Sequence, residues 1–341
     1  MAARRVRKAL KLSMTRTLLI DSDGGSDDVV GLIMALRSSD VRISAITVVA
    51  GNVPVEQATR NILYTVELCK ADAPVCVGAE KPLVRELVTA QWFHGRDGLG
   101  DHGYAPRSER ADSRHAVDAM IGSVLANPGI EIVTLGPLTN LALAVTREPK
   151  IIGAIGRCVV MGGAPCCEGN VTPAAEFNIW VDPEAAKIVF RAGLPLEMVG
   201  WHLCRGAAAL NEVDITGILA LGTPVAEFAI HSNSVAAVAY RTQTGEKGIS
   251  LPDPVAMSIA LRPELCTASS MHYVDVETTS DLTRGLTVVD RLAVAEDERN
   301  RSLWDWAWKG QVRTRVCWTL DVTGWKAALY AALAEPLEPQ L

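Results

Sequence analysis

Four aspartates crowd into one short segment of the sequence, DSDGGSDD, in which Asp21, Asp23, Asp27 and Asp28 directly follow the apolar run TLLI. Carboxylates this close repel one another strongly unless a cation neutralises them. The side chains available for binding a cation all offer oxygen, which favours a hard ion, Ca²⁺ or Mg²⁺, over zinc. An EF-hand loop is excluded because Leu32 stands where the closing glutamate would fall. The segment therefore predicts a cation site.

Helix capping is a simpler interpretation of part of this segment. Gly24 and Gly25 allow a sharp turn, and Ser26 can cap a helix whose first turn holds Asp27 and Asp28. The positive end of a helix also compensates acidic side chains in its first turn. Capping explains one or two of the acids, but it does not explain four.

A phosphatase of the haloacid dehalogenase type is an alternative. Such enzymes open with a strand followed by DxDG, and the residues from Asp21 to Gly24 match this pattern. Against it, Gly25 stands where Thr or Val is expected, and the two acids that follow have no task in such a site.

Three further segments place polar side chains around apolar runs. Asn52 follows a predicted strand in VVAGNV, and GNVTPAAEFNIWVDPEAA places Asn170, Glu176 and Asn178 between a strand and a helix. Asp253 lies between two prolines just ahead of an apolar helix. Amides with one carboxylate suit a polyhydroxy ligand, because they form hydrogen bonds with hydroxyl groups. None of these polar residues is a cation that could bind a phosphate.

These polar segments need a scaffold that brings them together. From Arg16 onward, short β-branched runs alternate with helical patterns, as in TLLIDSD, DDVVGLIMALRSS and ISAITVVAG. This alternation is typical of βαβ units and predicts an α/β fold with an open, mostly parallel central sheet flanked by helices. Ligand sites in such sheets form outside the carboxyl ends of the strands, which is where most of the polar segments lie.

The pattern changes after residue 270. HYVDVETT, LTVVDRLAV and TRVCWTLDV look like strands of a small antiparallel appendage near the C-terminus, ahead of a closing helix. Neither a fixed-period repeat nor a linker rich in Gly, Pro or Ser divides the chain. We therefore predict a single domain over residues 14–341, preceded by a disordered basic extension over residues 1–13.

Composition excludes several classes of function. The 341 residues carry a net charge of −6, and five of the 33 basic residues fall within residues 1–13, so the remainder carries −11. A body this acidic lacks the basic footprint that nucleic-acid binding requires. No apolar stretch approaches the roughly 18 residues of a membrane span. The eight cysteines are scattered without CxxC spacing, which predicts reduced thiols in a cytoplasmic protein.

In their order along the chain, these segments resemble the nucleoside hydrolase family of inosine-uridine preferring N-ribohydrolases. DSDGGSDD is similar to the family's opening DxDxGxDD, apart from residues 24–26. VVAGNV, TLGPLTNLA, MGGA, GNVTPAAEFN with DPEAA, and LPDP then follow in family order, so that the resemblance covers residues 16–262. It implies the nucleoside hydrolase fold, Ca²⁺ as cofactor, and hydrolysis of a ribonucleoside to a free base and ribose. It also implies a homodimer or homotetramer.

The resemblance assigns roles to individual residues as well. The Ca²⁺ ligands would be Asp23, Asp28, Asp253 and the main-chain carbonyl of Leu135, and Asp23 would also be the general base. The ribose would be bound by Asp27, Asn52, Met161, Asn170, Glu176 and Asn178. These residue types fit the chemistry, because N-glycosidic cleavage passes through an oxocarbenium-like sugar that fixed carboxylates and amide dipoles stabilise.

One position departs from the family pattern. Many members carry a His directly before the last metal-binding Asp, where it protonates the leaving base, and this chain has Pro252 there. The favoured donor is instead a loop histidine, His94 or else His231, while Trp92 and Phe93 are candidates for stacking on the base. The same proline leaves open a nucleoside-binding or sensing protein that has lost turnover.

Overall fold

A computed structural model describes residues 15–334, and eight strands of this described part form one central sheet. The strands within residues 15–334 are β1 (Arg16–Ser22), β2 (Val41–Val48), β3 (Val75–Val77), β4 (Ile130–Thr134), β5 (Ile155–Met161), β6 (Leu196–Val199), β7 (Cys266–His272), β8 (Val274–Val276), β9 (Thr287–Val289) and β10 (Thr314–Leu320). The central sheet has the strand order β3-β2-β1-β4-β5-β6-β10-β7.

Helices connect most of these strands. They are α1 (Asp28–Leu36), α2 (Val55–Leu68), α3 (Gln91–His94), α4 (Ala116–Ala126), α5 (Thr139–Arg147), α6 (Phe177–Val181), α7 (Pro183–Arg191), α8 (Glu212–Leu219), α9 (Pro224–His231), α10 (Ser234–Thr244), α11 (Pro252–Leu261), α12 (Asp305–Gly310) and α13 (Val322–Ala334). Short 3₁₀ turns, such as Trp201–Leu203, join several of them.

The strand that precedes the acidic segment is buried on both faces. Leu18 and Ile20 of β1 pack into one core cluster, whereas Leu19 packs into a second cluster. Because successive strand side chains point to opposite faces, an unbroken apolar run is what a strand covered on both sides requires. β1 pairs in parallel with β2 and β4, so the acidic segment leaves an interior strand at the carboxyl edge of the sheet.

The predicted α/β fold with an open, mostly parallel sheet is confirmed, and β8 and β9 form the small antiparallel appendage. The assignment of residues 314–320 to that appendage is wrong. β10 joins the central sheet in parallel with β6 and carries β7 as an antiparallel edge strand. Its side chains explain this position, because Val316 and Cys317 are fully buried in core clusters on opposite faces, as in an interior strand.

Two other predictions concern the chain as a whole. All eight cysteines are free thiols, as their spacing indicated. Within residues 15–334, no helix combines the length and the apolar character that crossing a membrane would need. The basic extension predicted for residues 1–13 lies outside the described residues.

Candidate functional site

A cleft of about 600 Å³, including the open space at its mouth, gathers most of the predicted site residues. The predicted residues on its walls are Asp27, Asn52, His94, Leu135, Met161, Asn170, Glu176, Asn178 and Asp253. They come from segments far apart in the chain, and several of them follow carboxyl ends of adjacent strands, as expected for an open α/β sheet.

Asp23 and Asp28 do not line the cleft but are fully buried behind Asn52. The side-chain amide of Asn52 donates to Asp23 Oδ1 at 3.1 Å and to Asp28 Oδ2 at 3.2 Å, and its main-chain N–H donates to Asp23 Oδ2 at 2.6 Å. Asn52 itself is buried, although it follows a strand end. This asparagine therefore connects the cleft wall to the two acids beneath it.

The turn between β1 and α1 is held by Asp28. Its Oδ1 accepts from the hydroxyl of Ser22 at 2.6 Å and from the main-chain N–H of Asp23 at 3.2 Å, and its Oδ2 accepts from Gly25 N–H at 3.0 Å. Ser26 is not the helix cap that the sequence suggested. α1 begins at Asp28, and the hydroxyl of Ser26 contacts two side chains outside this segment instead.

The acids form the densest group of negative charge at the site. Asp27, Asp28 and Asp253 each bring a carboxylate oxygen within 4.8 Å of the other two. Burial, together with the charge of Asp28, raises the pKa of Asp27 to about 7, and burial and the neighbouring aspartates raise the pKa of Asp253 well above its usual range. Asp27 Oδ1 is buried and accepts no hydrogen bond in the described part of the chain, although His94 Nδ1 lies 3.8 Å from it. A divalent cation with oxygen ligands fits this arrangement.

Asp21 is separate from the cleft, and its surroundings exclude the phosphatase. Thr47 Oγ1 donates to Asp21 Oδ1 at 2.6 Å, and Asn140 Nδ2 donates to the same oxygen at 2.8 Å. Burial raises the pKa of Asp21 to about 7. In a phosphatase of the DxDG type this side chain would face the substrate, whereas here it bonds side chains inside the fold.

Glu176 and Asn178 are polar residues of the cleft wall whose own hydrogen bonds fix their positions. Glu176 accepts from the main-chain N–H groups of Asn178 at 2.8 Å and Gly163 at 2.9 Å, so it caps α6 while it lines the cleft. Burial raises the pKa of Glu176. Asn178 Nδ2 donates to the carbonyl oxygens of Leu135 at 2.8 Å and Met161 at 3.3 Å. These contacts fix the polar groups that face a ligand.

Aromatic side chains form the outer wall. Trp92 is 59% exposed and contacts Phe93 edge to face, with 5.5 Å between the ring centroids. The Phe93 ring centroid lies 4.9 Å from that of His94, and all three residues line the cleft. His94 itself is buried, and burial lowers its pKa to about 3. His231 is exposed at the end of α9 and does not line the cleft.

Six cleft residues escaped the sequence analysis: Ala90, Val171, Phe177, Trp201, Gln243 and Ser250. Trp201 follows the carboxyl end of β6. The strand-end rule, by which ligand sites form outside the carboxyl ends of the strands, pointed to Asn52 and could also have pointed to Trp201. Gln243 lies near the end of α10, and its side chain donates to the carbonyl of Asn170. Nothing in the pattern of a surface helix indicates such a contact.

The lack of a side chain at Gly51 allows the main chain to approach the buried carboxylate of Asp23 closely. A Cβ atom at residue 51 would lie 2.1 Å from Asp23 Oδ2 and 2.7 Å from Pro137 Cδ. Gly51→Ala is therefore expected to displace Asp23 and to destabilise the fold by about 1–3 kcal/mol, the range for overpacking. Thermal unfolding measures the effect.

Gly122→Ala is the matched control for this substitution. Gly122 lies inside α4, and a Cβ atom there would meet nothing within 4 Å. Alanine in a helix interior should stabilise slightly. An unchanged melting temperature for Gly51→Ala would show that the loop yields without cost and would contradict the prediction.

Sequence comparison places these features in one family. The family model described as inosine-uridine preferring nucleoside hydrolase matches residues 18–327. The chain is also 38% identical over 294 residues to the pyrimidine-specific ribonucleoside hydrolase RihA of Salmonella enteritidis, which covers 85% of this chain and 93% of that protein.

Structural comparison agrees with the sequence. The plant nucleoside hydrolase PpNRh1 superposes with a TM-score of 0.87 at 31% identity, covering 94% of this chain and 100% of that chain. A purine-preferring ribonucleoside hydrolase from Gardnerella vaginalis superposes with a TM-score of 0.82 at 27% identity, covering 94% and 99%. The family that the motifs indicated is thereby confirmed.

Proposed function

Because the chain belongs to the inosine-uridine preferring nucleoside hydrolase family and is a hydrolase of N-glycosyl compounds, we propose that it cleaves ribonucleosides in a Ca²⁺-dependent reaction. The products are a free purine or pyrimidine base and ribose. One observation carries this proposal. A single cleft joins a buried carboxylate cluster, which needs a cation, to a wall of amides suited to sugar hydroxyls.

The proposed Ca²⁺ ligands are Asp23, Asp28, Asp253 and the carbonyl of Leu135, with Asp27 beside them. Oxygen ligands suit a hard cation, and the carboxylate group of Asp27, Asp28 and Asp253, in which Asp27 Oδ1 accepts no hydrogen bond, supports a positive charge at this place. When bound, Ca²⁺ would neutralise these carboxylates and polarise the oxygen atoms that it contacts.

Asp23 is the proposed general base. Burial and the charge of Asp28 raise the pKa of Asp23 well above its usual range, so its carboxylate takes up a proton more readily than an exposed aspartate. The two donors of Asn52 orient both of its oxygens. Asn52 thereby holds the carboxylate of Asp23 in one orientation.

The remaining residues would bind the sugar and the base. Asp27 and Asn52 lie on the acidic side of the cleft, where they would bind ribose hydroxyls; the sugar would also contact Met161, Asn170, Glu176 and Asn178. The fixed carboxylate of Glu176 and the amide dipoles would stabilise positive charge that develops on the ribose. The base would pack against the aromatic side chains at the mouth.

Pro252 lines the cleft where many members carry a proton donor, so the assay of turnover should also detect a protein that only binds nucleosides. Incubation with inosine, uridine and a phosphomonoester distinguishes these possibilities, if both reducing sugar and phosphate are measured. We expect reducing sugar from at least one nucleoside and no phosphate. Binding of a nucleoside without either product would instead support binding alone.

The leaving base presents a separate question, because neither histidine is placed as a protonated donor. His231 lies outside the cleft, and His94, with a pKa of about 3, is neutral near pH 7. Stacking and a water relay are then the remaining ways to activate the leaving base. His94→Ala is expected to slow natural nucleosides and p-nitrophenyl riboside, whose leaving group needs no proton, by similar factors, and His231→Ala to slow neither.

Steady-state kinetics of both variants on both substrates test this. If either variant loses the natural substrates but keeps the activated riboside, that histidine acts on the leaving base, and the expectation fails for it.

The assembly and the compartment also belong to the proposal. We propose a homodimer or homotetramer, as implied by the family resemblance, in the cytoplasm, where the eight free cysteines stay reduced. Light scattering of the purified protein measures the oligomeric state, and fractionation of the source cells determines the compartment.

A further inference from the structure

Ser26 stands within the acidic segment, but its side chain takes part in a different contact. Its Oγ lies 2.8 Å from His94 Nδ1 and 2.9 Å from Asn233 Oδ1. Ser26 and Asn233 are fully buried, and His94 lines the cleft. The three side chains join the turn before α1, the end of α3 and the residue that precedes α10.

The orientation of the Asn233 amide follows from its donors. Asn233 Nδ2 donates to the carbonyl of Ser26 at 2.8 Å and to the carbonyl of Ala229 at 2.9 Å. Two carbonyl partners require the NH₂ group on that side, so Asn233 Oδ1 faces Ser26 as an acceptor. The hydroxyl proton of Ser26 must then point to Asn233.

This direction determines where the proton on His94 lies. Once the hydroxyl of Ser26 donates to Asn233, its oxygen can only accept at the 2.8 Å contact, so His94 Nδ1 carries the proton. The main-chain N–H of Ser26 lies 3.4 Å from the same nitrogen and favours the reverse tautomer, but that contact is long and weak. The reverse arrangement would leave the buried Asn233 oxygen unsatisfied, which costs more.

We propose that Ser26 and Asn233 are positioning residues that hold His94 as the tautomer protonated on Nδ1, so that its bare Nε2 accepts a hydrogen bond from the bound nucleoside. The proposal rests on the proposed function for the identity of the ligand. Nε2 has no hydrogen-bond partner among residues 15–334 and is not sealed from the cleft. Its partner is a hydroxyl or N–H group of the substrate.

The first test reads the tautomer directly and needs no activity. In protein labelled with ¹⁵N-histidine, long-range proton–nitrogen spectra separate the protonated ring nitrogen from the bare one, and the His94 signals are those that vanish in His94→Gln. We expect a proton on Nδ1 in the wild type and a mixed or reversed tautomer in Ser26→Ala. A proton on Nε2 in the wild type would overturn the proposal, even if the enzyme were fully active.

The second test measures coupling between the residues. Ser26→Ala is expected to raise KM about tenfold with little change in kcat, the size of one lost hydrogen bond. Ser26→Thr, which keeps the hydroxyl, should restore most of the loss. In a His94→Ala background, Ser26→Ala should add almost nothing, because it acts through His94.

Ser258→Ala is the matched control. Ser258 is also buried, and its hydroxyl donates to the carbonyl of Val255 within α11 rather than to a cleft residue. It should leave KM unchanged. Additive losses in the Ser26 and His94 double variant would show that Ser26 has only a structural role and would reject the proposal.

Inhibition by free D-ribose identifies the substrate group. If Ser26→Ala weakens ribose inhibition, the partner of Nε2 is a sugar hydroxyl, and if it weakens only nucleoside binding, the partner is an N–H of the base. Inhibition and nucleoside binding that are both unchanged would contradict an accepting role for His94.

Discussion

Asp23→Asn is expected to lower kcat by about a hundredfold or more, the usual size of a general-base contribution. An asparagine can still accept one hydrogen bond from Asn52, but it cannot take a proton from water. Inhibition by ribose should change much less, because Asp23 does not line the cleft. Steady-state kinetics on inosine and uridine, together with ribose inhibition, measure both effects.

Asp72→Asn provides the control, since Asp72 is exposed and lies outside the cleft. It should match the wild type in both measurements. Near-normal kcat in Asp23→Asn would mean that Asp23 is only a ligand, and another group would have to accept the proton.

Removal of Ca²⁺ is expected to abolish turnover and to lower the melting temperature. Without a cation, the buried carboxylates of Asp27, Asp28 and Asp253 repel one another within 4.8 Å. At a Ca²⁺ concentration about a hundredfold above Kd, binding stabilises the folded state by about 2.7 kcal/mol. Elemental analysis of the purified protein and melting curves in a chelator and in Ca²⁺ test this, with the Ca²⁺-saturated chelator as control.

The stabilisation of the folded protein by Ca²⁺ should increase as the pH rises. In the metal-free protein the pKa of Asp27 is about 7, above the 3.8 of an unperturbed aspartate. The folded state then retains a proton that the unfolded state has lost, so stability falls as the pH rises from about 4 to about 7. Ca²⁺ competes with that proton, and the rise in melting temperature on adding Ca²⁺ should therefore be larger at pH 8 than at pH 5.

Two outcomes would count against this cation site. Protein without bound metal that melts at the same temperature in chelator and in Ca²⁺ does not bind the ion. An equal Ca²⁺ effect at pH 5 and pH 8 would show that the ion binds groups other than the buried aspartates.

The sequence by itself was sufficient for the fold class and for most of the cleft. The apolar run before Asp21 and the helical pattern after it are local signals, because side-chain periodicity follows from the geometry of one strand or one helix. The strand-end rule then placed Asn52, Asn170 and Asn178 near one another without any coordinates. All three line the cleft.

The tertiary structure decided which groups partner each polar side chain. Asp21 bonds Thr47 and Asn140, Ser26 bonds Asn233 rather than capping a helix, and β10 enters the central sheet. Each outcome depends on residues more than 20 positions away, so no local pattern encodes it. A buried polar group takes whichever partner the packed fold brings within hydrogen-bond distance, since leaving it unpaired costs more than any local preference provides.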